Sequence, residues 1–373
     1  MRVIVTGGGT SGHVNPALSI ANTIKKNIPG SEIIFVGTKR GIENKLVPNE
    51  GYTLCHVEVQ GIRRSLSFSN LKSLYLAAVS PIKAKKLIRE FKPDVVIGTG
   101  GYVCWPVMKA AADMKIPTVL HESNSIPGVA IKMLAKYVDR IFVNFEATTN
   151  KFPEEYRHKV MRVGNPLRGE FLSLDYNEAR NRLGITGKYE KFILSCGGSM
   201  GAEKINEAIL EFMKNYTAKH PEILHLHATG AIEYEPSMKM YKDYSLDKYD
   251  NIKVVEYIYD MPLQMAGADL VINRAGAMTL SELAVLRKSA ILIPSPNVTD
   301  NHQYKNAREL ELAGAASLIE EKDLCAEKLE KEVNALLFGS RGQELSKNIY
   351  SFALPDAERV IFEEIINLVK NKK

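Results

Sequence analysis

The chain reads as an α/β protein made of two similar halves, each expected to be a parallel sheet flanked by helices. Strand-like apolar runs alternate with helix-length segments nearly throughout its 373 residues. Four of the runs end in glycine-bearing turns, two in each half. These are Thr6-Gly7-Gly8-Gly9, Gly98-Thr99-Gly100-Gly101, Cys196-Gly197-Gly198-Ser199-Met200-Gly201 and Asn273-Arg274-Ala275-Gly276. The length is large for one core, which favours two domains.

In the first half the apolar runs place strands at residues 3–6, 33–36, 95–98, 118–121 and 140–144. In the second half they place them at 192–196, 224–228, 252–255, 270–273 and 289–293. The turn residues Val163-Gly164-Asn165-Pro166-Leu167-Arg168 mark the join, so the domains are expected at 1–164 and 165–355. A last break at Ala353-Leu354-Pro355-Asp356 precedes a helix within 356–373, with Val360, Ile361, Ile365, Ile366 and Leu368, expected to pack back on the first domain. The polar, tyrosine-rich stretch from Ser237 to Asp250 reads as a surface insertion.

The first strand runs into Gly7-Gly8-Gly9-Thr10-Ser11-Gly12-His13-Val14-Asn15-Pro16. These glycines allow close backbone approach, so successive N–H groups are expected to face a phosphate. Asn15 reads as an N-cap and Pro16 as the first helical residue, with the helix's positive end toward the turn. His13 stands where an imidazole can reach whatever the turn holds. The glycines also satisfy G-x-G-x-x-G, but a dinucleotide site wants a carboxylate at the tip of the second strand. That tip reads Thr38-Lys39-Arg40, which disfavours NAD and leaves NADP open.

Hydrophobic residues make up 45% and charged residues 25%, ordinary for a globular protein. No apolar run is long enough to span a bilayer, and the start shows no basic-then-apolar leader. Cys55, Cys104, Cys196 and Cys325 are scattered without a C-x-x-C pair, the usage expected of reduced thiols and not of a zinc site. The net charge of +6 suits nucleic acid, phosphorylated ligands or an anionic membrane without choosing among them.

Gly197–Gly201 before a helix offers N–H groups and the Ser199 hydroxyl to a diphosphate, or is simply a turn that needs glycine sterically. In Asn273–Glu282, Thr279-x-x-Glu282 is a capping box, which would account for Glu282 structurally. The alternative is that Glu282 accepts two hydrogen bonds from a ribose diol. The stretch Pro294–Ala307 displays amide, carboxyl and imidazole groups, with His302 and Gln303 suited to sugar hydroxyls. Between residues 62 and 91, Arg63, Arg64 and Phe68 precede Leu71, Leu74, Tyr75, Ala78 and Ile82 on one helical face, with Lys83, Lys85, Lys86 and Arg89 beside it. That is either a core-facing helix with a solvated basic side or an interfacial helix for anionic lipid. Pro81 suggests a kink or a new helix start.

Six motifs in order carry a resemblance: Gly8-Gly9-Thr10-Ser11-Gly12-His13-Val14-Asn15-Pro16-Ala17, Gly98-Thr99-Gly100-Gly101-Tyr102, His121-Glu122-Ser123-Asn124, Gly164-Asn165-Pro166-Leu167-Arg168, Gly197-Gly198-Ser199-Met200-Gly201 and Gln303-Tyr304-Lys305-Asn306-Ala307. Over essentially the whole chain it resembles the MurG family of N-acetylglucosaminyltransferases of bacterial peptidoglycan synthesis. The resemblance implies a GT-B fold, two Rossmann-like domains with parallel sheets facing across a cleft. The first domain would bind the acceptor and associate with the membrane, and the second would bind UDP-GlcNAc. The implied reaction moves GlcNAc from UDP-GlcNAc to the C4 hydroxyl of MurNAc in lipid I (undecaprenyl-pyrophosphoryl-MurNAc-pentapeptide), giving lipid II with inversion.

The resemblance further implies that Glu282 takes the ribose diol, Ile258 lies by the uracil and Ser199 contacts the diphosphate. Ala277, Met278, Thr279, Leu280 and Ser281 would lie along the donor, with Gln303 on the GlcNAc hydroxyls. Thr10, Ser11, Gly12, Asn124 and Arg168 would line the cleft. No metal or cofactor and no nucleic acid is implied, and attachment would be peripheral, to anionic lipids on the cytoplasmic side of the cell membrane. His13 is the first choice for the base that takes the acceptor proton, or else a cation for the acceptor diphosphate, and Glu122 is the alternative base. Many relatives carry glycine at Ser11, glutamine at Ser123 and at Met200, and a small residue at Trp105. A UDP-GlcNAc 2-epimerase of the same fold is the rival enzyme, and a non-enzymatic nucleotide or lipid sensor the rival outside enzymes.

Overall fold

The computed structural model describes residues 1–58, 69–198 and 200–372, with backbone alone for 69–79. The chain divides into two compact units, Met1–Leu167 with Leu354–Lys373, and Arg168–Ala353. The division falls three residues beyond the expected 164.

In the first unit, β1 (Arg2–Thr6), β2 (Glu32–Gly37), β3 (Thr53–His56), β4 (Val95–Gly98), β5 (Thr118–Glu122), β6 (Arg140–Val143) and β7 (Val160–Arg162) form one sheet. Its order is β3-β2-β1-β4-β5-β6-β7, and every pairing is parallel. Its central strands are buried on both faces, which is why they read as continuous apolar runs, such as Val95-Val96-Ile97, without alternation. On one face the helix Ser11–Asn27 contributes Val14, Ala17, Ile20, Ala21 and Ile24 to the core. The helix Ala357–Lys372 joins it there through Ile361, Ile365 and Val369, and Ser19 Oγ donates to Glu358 Oε1 at 2.7 Å. On the other face Ala84 and Ile88 pack with Val107, Met108 and Ala111 of the helix Cys104–Asp113.

The helix Ser69–Phe91 runs through Pro81 without ending, so no new helix starts there. A proline inside a helix forgoes one backbone hydrogen bond and crowds the preceding turn. Burial of Ala84 and Ile88 in the turns that follow offsets that cost. Arg63, Arg64 and Phe68 lie outside the described residues.

In the second unit, β8 (Lys191–Cys196), β9 (Ile223–Ala228), β10 (Ile252–Val255), β11 (Leu270–Asn273), β12 (Ser289–Leu292) and β13 (Ser317–Leu318) form a parallel sheet of order β10-β9-β8-β11-β12-β13. The segment expected to be a surface insertion instead forms part of the packed layer. Its helix Tyr234–Asp243 is followed by Leu246, which is fully buried, with Met240, Tyr241 and Tyr244 against the same core. Both sheets reverse strand order beside their first strand, between β1 and β4 and between β8 and β11. Open parallel sheets bind ligands at the carboxyl ends of their strands at such points.

Candidate active site

At the β1/β4 reversal, the helix Ser11–Asn27 begins with Thr10 as its N-cap, five residues before the expected Asn15. The Thr10 carbonyl accepts from His13 N at 3.1 Å and Val14 N at 3.2 Å, and Pro16 lies inside the helix. His13 is therefore a first-turn helical residue. Its Nδ1 is 3.0 Å from the Gly8 carbonyl oxygen and 3.3 Å from Thr10 Oγ1. A carbonyl can only accept, so Nδ1 carries the hydrogen, and in the uncharged ring Nε2 keeps a lone pair.

The His13 ring lies against Gly100, whose φ is +116°. A Cβ there would stand 2.5 Å from Cδ2 and 2.9 Å from Nε2. Thr99 Oγ1 donates to the His13 carbonyl at 2.7 Å, and Gly8 N donates to Gly100 O at 3.3 Å. The two glycine turns of this unit are thus interlocked around the imidazole.

Two N–H groups of the glycine run are taken by acceptors within the protein. Gly8 N is taken by Gly100 O, and Gly9 N by Glu43 Oε2 at 2.9 Å. The donors left for an anion are those of the helix's first turn, at exposed Ser11 and Gly12, which have no acceptor within the helix. Glu43, which the sequence did not single out, fills the turn with a carboxylate. Burial pushes its carboxyl up, but the Gly9 and Thr38 N–H groups outweigh this and hold it below the usual carboxylate range. An anion already placed there disfavours a dinucleotide phosphate in the same turn, NADP included.

Glu122 ends β5 with both oxygens engaged. Oε1 accepts from Asn124 N at 2.9 Å and Asn124 Nδ2 at 3.0 Å, and Oε2 accepts from Gly128 N at 2.9 Å. Its neighbour His121 is fully buried, with Nε2 2.8 Å from the Gly164 carbonyl, and burial pushes its imidazole down to about 4. Trp105 meets Tyr137 edge-on, with ring centroids 6.1 Å apart.

In the second unit the helix Ala277–Val285 has Gly276 as its N-cap, without a side-chain cap. Thr279 and Glu282 both lie inside it, so the expected capping box is not formed. No described residue hydrogen-bonds the Glu282 carboxylate. Glu282 is part-exposed at its surface but surrounded by protein at longer range. Burial pushes its carboxyl up to about 7, and the Arg168 guanidinium acts in the opposite sense. Leu280 is turned into the core and the Ser281 hydroxyl donates to the Ala277 carbonyl at 3.3 Å, so these two side chains are not offered to a ligand. Ala277 is buried, while Met278 and Thr279 are part-exposed on the first turn.

Ile258 is buried between exposed Tyr257 and Tyr259, whose rings meet at 5.0 Å. The alternation Tyr257-Ile258-Tyr259 is the sequence signal of this aromatic pair. Gln303 Oε1 accepts from Ser295 N at 2.9 Å, which turns its amide NH₂ outward as the remaining group. Met200 is exposed. Ser199 lies outside the described residues. Among the described residues, no three His, Cys, Asp or Glu side chains are grouped to hold a metal ion, and no helix is long and apolar enough to cross a membrane.

Residues 3–143 match the glycosyltransferase family 28 N-terminal domain, and residues 192–360 match the glycosyltransferase family 28 C-terminal domain. The chain is 43% identical over 373 residues to the UDP-N-acetylglucosamine--N-acetylmuramyl-(pentapeptide) pyrophosphoryl-undecaprenol N-acetylglucosamine transferase of Acetivibrio thermocellus, covering 100% of this chain and 99% of that one. It is similar to the crystal structure of Acinetobacter baumannii MurG, with a TM-score of 0.77 and 26% identity over 98% of this chain and 99% of that one. The Neisseria meningitidis UDP-GlcNAc 2-epimerase shares the fold alone, with a TM-score of 0.65 and 15% identity over 98% and 100% of the two chains. Matched along its full length and in both halves, the chain belongs to glycosyltransferase family 28, among the UDP-N-acetylglucosamine--N-acetylmuramyl-(pentapeptide) pyrophosphoryl-undecaprenol N-acetylglucosamine transferases.

Proposed function

We propose that the chain moves N-acetylglucosamine from UDP-N-acetylglucosamine to the C4 hydroxyl of the N-acetylmuramyl group of lipid I, with inversion at the anomeric carbon. The observation that carries this reading is the His13 Nδ1 contact with the Gly8 carbonyl, which in the uncharged ring leaves Nε2 to accept a proton. Nε2 takes the proton as the acceptor oxygen bonds to the anomeric carbon. The bond from that carbon to the diphosphate oxygen breaks, and its electron pair leaves with UDP. The N–H groups of Ser11 and Gly12 face the acceptor diphosphate. Glu122, with both oxygens committed, orders the loop that carries Asn124.

In the second unit the free Glu282 carboxylate receives the ribose hydroxyls and Ile258 lies along the uracil. The Gly197–Gly201 turn and the first turn of the Ala277–Val285 helix face the diphosphate, where their N–H groups stabilise departing charge. The Gln303 amide donates to a sugar hydroxyl.

The chain attaches peripherally to anionic lipid of the cytoplasmic leaflet through residues 62–91. Ile82 there is 67% exposed, which supports this. Transfer of radiolabel from UDP-[¹⁴C]GlcNAc to a short-chain lipid I analogue, with and without EDTA, tests the reaction. Label in the lipid product, unaffected by EDTA, is expected. Release of 2-epimerised sugar without labelled lipid would overturn it.

A further inference from the structure

Glu43 is the one buried carboxylate of the first unit that the proposed chemistry does not use, and it contacts the turn that holds His13. No solvent reaches its side chain. Oε1 accepts from Thr38 N at 2.9 Å and Thr38 Oγ1 at 2.8 Å, and Oε2 accepts from Gly9 N at 2.9 Å. Three glycines make room for it, one in the turn after β1, one ending β2 and one in the turn after β2. A Cβ at Gly8 would come within 2.7 Å of Oε1, one at Gly37 within 2.7 Å of Cγ, and one at Gly41 would overlap the carboxylate itself. Gly8 lies 29 residues before Gly37, so this cage is a product of the β1–β2 pairing and the turn that follows β2.

The Gly9 N–H that Glu43 holds and the Gly8 C=O that His13 holds belong to one peptide group. Its N–H donates to a carboxylate at one end, and its oxygen accepts from Nδ1–H at the other. From this geometry we infer that Glu43 is a positioning residue for His13, acting through the Gly8–Gly9 peptide as a carboxylate–peptide–imidazole relay. The negative charge polarises the peptide and makes the Gly8 oxygen a stronger acceptor, as linked hydrogen bonds reinforce one another. That favours the Nδ1–H tautomer before reaction. It also stabilises the imidazolium once Nε2 has taken the acceptor proton. The arrangement does for this histidine what a directly bonded carboxylate does in a catalytic triad, with one amide interposed. Thr38 and the glycine cage hold the carboxylate in place, so the peptide does not rotate away.

The inference rests on His13 as the base, and its test separates the two. In uniformly ¹⁵N-labelled full-length protein, with the His13 resonances assigned by their loss in H13Q, the ring shifts report the tautomer directly. Wild type is expected to show Nδ1–H at His13. Glu43→Gln keeps the volume and removes the charge. It is expected to mix the tautomers and lower kcat by about 10–100-fold, the range for removing an outer partner that orients a metal-bound histidine. KM for UDP-GlcNAc should stay within about twofold, because the donor groups lie in the other unit. A merely structural role would leave the tautomer unchanged. An Nε2–H tautomer in wild type overturns the relay whatever the variant does, and so does an E43Q protein with unchanged kcat. If H13Q is as active as wild type, the base assignment fails, while the tautomer measurement still decides whether Glu43 sets the ring.

Discussion

His13 Nδ1 lies 3.0 Å from the carbonyl oxygen of Gly8, five residues earlier in the chain and just beyond the end of β1. The contact puts the hydrogen on Nδ1 through a backbone acceptor, with Thr10 Oγ1 as a second neighbour at 3.3 Å. It depends on the ring staying against Gly100.

Gly100→Ala tests that dependence. The added methyl would occupy the imidazole's place, and φ of +116° strains any residue with a Cβ. Transfer activity should fall at least about tenfold, since a misplacement near 1 Å can cost on the order of 100-fold. Donor binding should be unchanged. Wild-type kcat in G100A would show that the ring position is not needed.

Glu282 predicts a pH-dependent donor affinity. Its carboxyl is pushed up to about 7, and a ribose diol donates to the anion, so UDP binding should weaken as pH falls from 8 to 6. Glu282→Gln should bind UDP more weakly at pH 8 and lose most of the pH dependence, as read by calorimetry. The same residue should cost stability. A raised carboxylate pKa means the folded state resists ionisation, so the penalty grows as pH rises above 4.5. E282Q should therefore be more stable than wild type at pH 8, by up to about 3 kcal/mol.

Buried histidines act with the opposite sign. His227 shares the Ser195 hydroxyl with His225 inside the second unit, at 2.9 and 2.8 Å. Burial pushes His227 and His121 down to about 4. The unfolded chain takes up protons near 6.5 and the folded one does not, so stability should fall between about pH 6.5 and 4. Each of these two residues contributes up to about 3 kcal/mol. His227→Gln should show a shallower loss of melting temperature over that window. An equal slope in wild type and variant would assign the acid sensitivity elsewhere.

Charge reversal at Lys83, Lys85 and Lys86 tests membrane attachment. These cations already pair with Glu58, Asp113 and Glu90 at 3.1, 3.0 and 3.9 Å. Each lysine near an anionic surface is worth about 1 kcal/mol, so the triple glutamate variant should bind anionic vesicles at least about tenfold more weakly. Unchanged binding would move the contact away from this helix.

The sequence made the central strands legible because β-branched runs such as Val95-Val96-Ile97 have no other use in so short a segment. It missed β3, β7 and β13, which lie at or beside sheet edges. Thr-Leu-Cys-His, Val-Met-Arg and Ser-Leu are short and bury too little to show a pattern. Local helix signals misled twice. Asn15-Pro16 and Thr279-x-x-Glu282 both resemble helix starts, yet both lie within helices set by the turns before them. In the site, His13 and Glu282 were legible from residue type and context. Glu43 was not, because its bond to Gly9 spans 34 residues and leaves no local signature.

The most direct test of the account is kcat and donor affinity in His13→Gln, with lipid I analogue saturating. A base at Nε2 predicts a fall in kcat on the order of 10²–10⁴-fold with UDP-GlcNAc binding unchanged. A kcat within about threefold of wild type, a barrier change well under 1 kcal/mol, would contradict it.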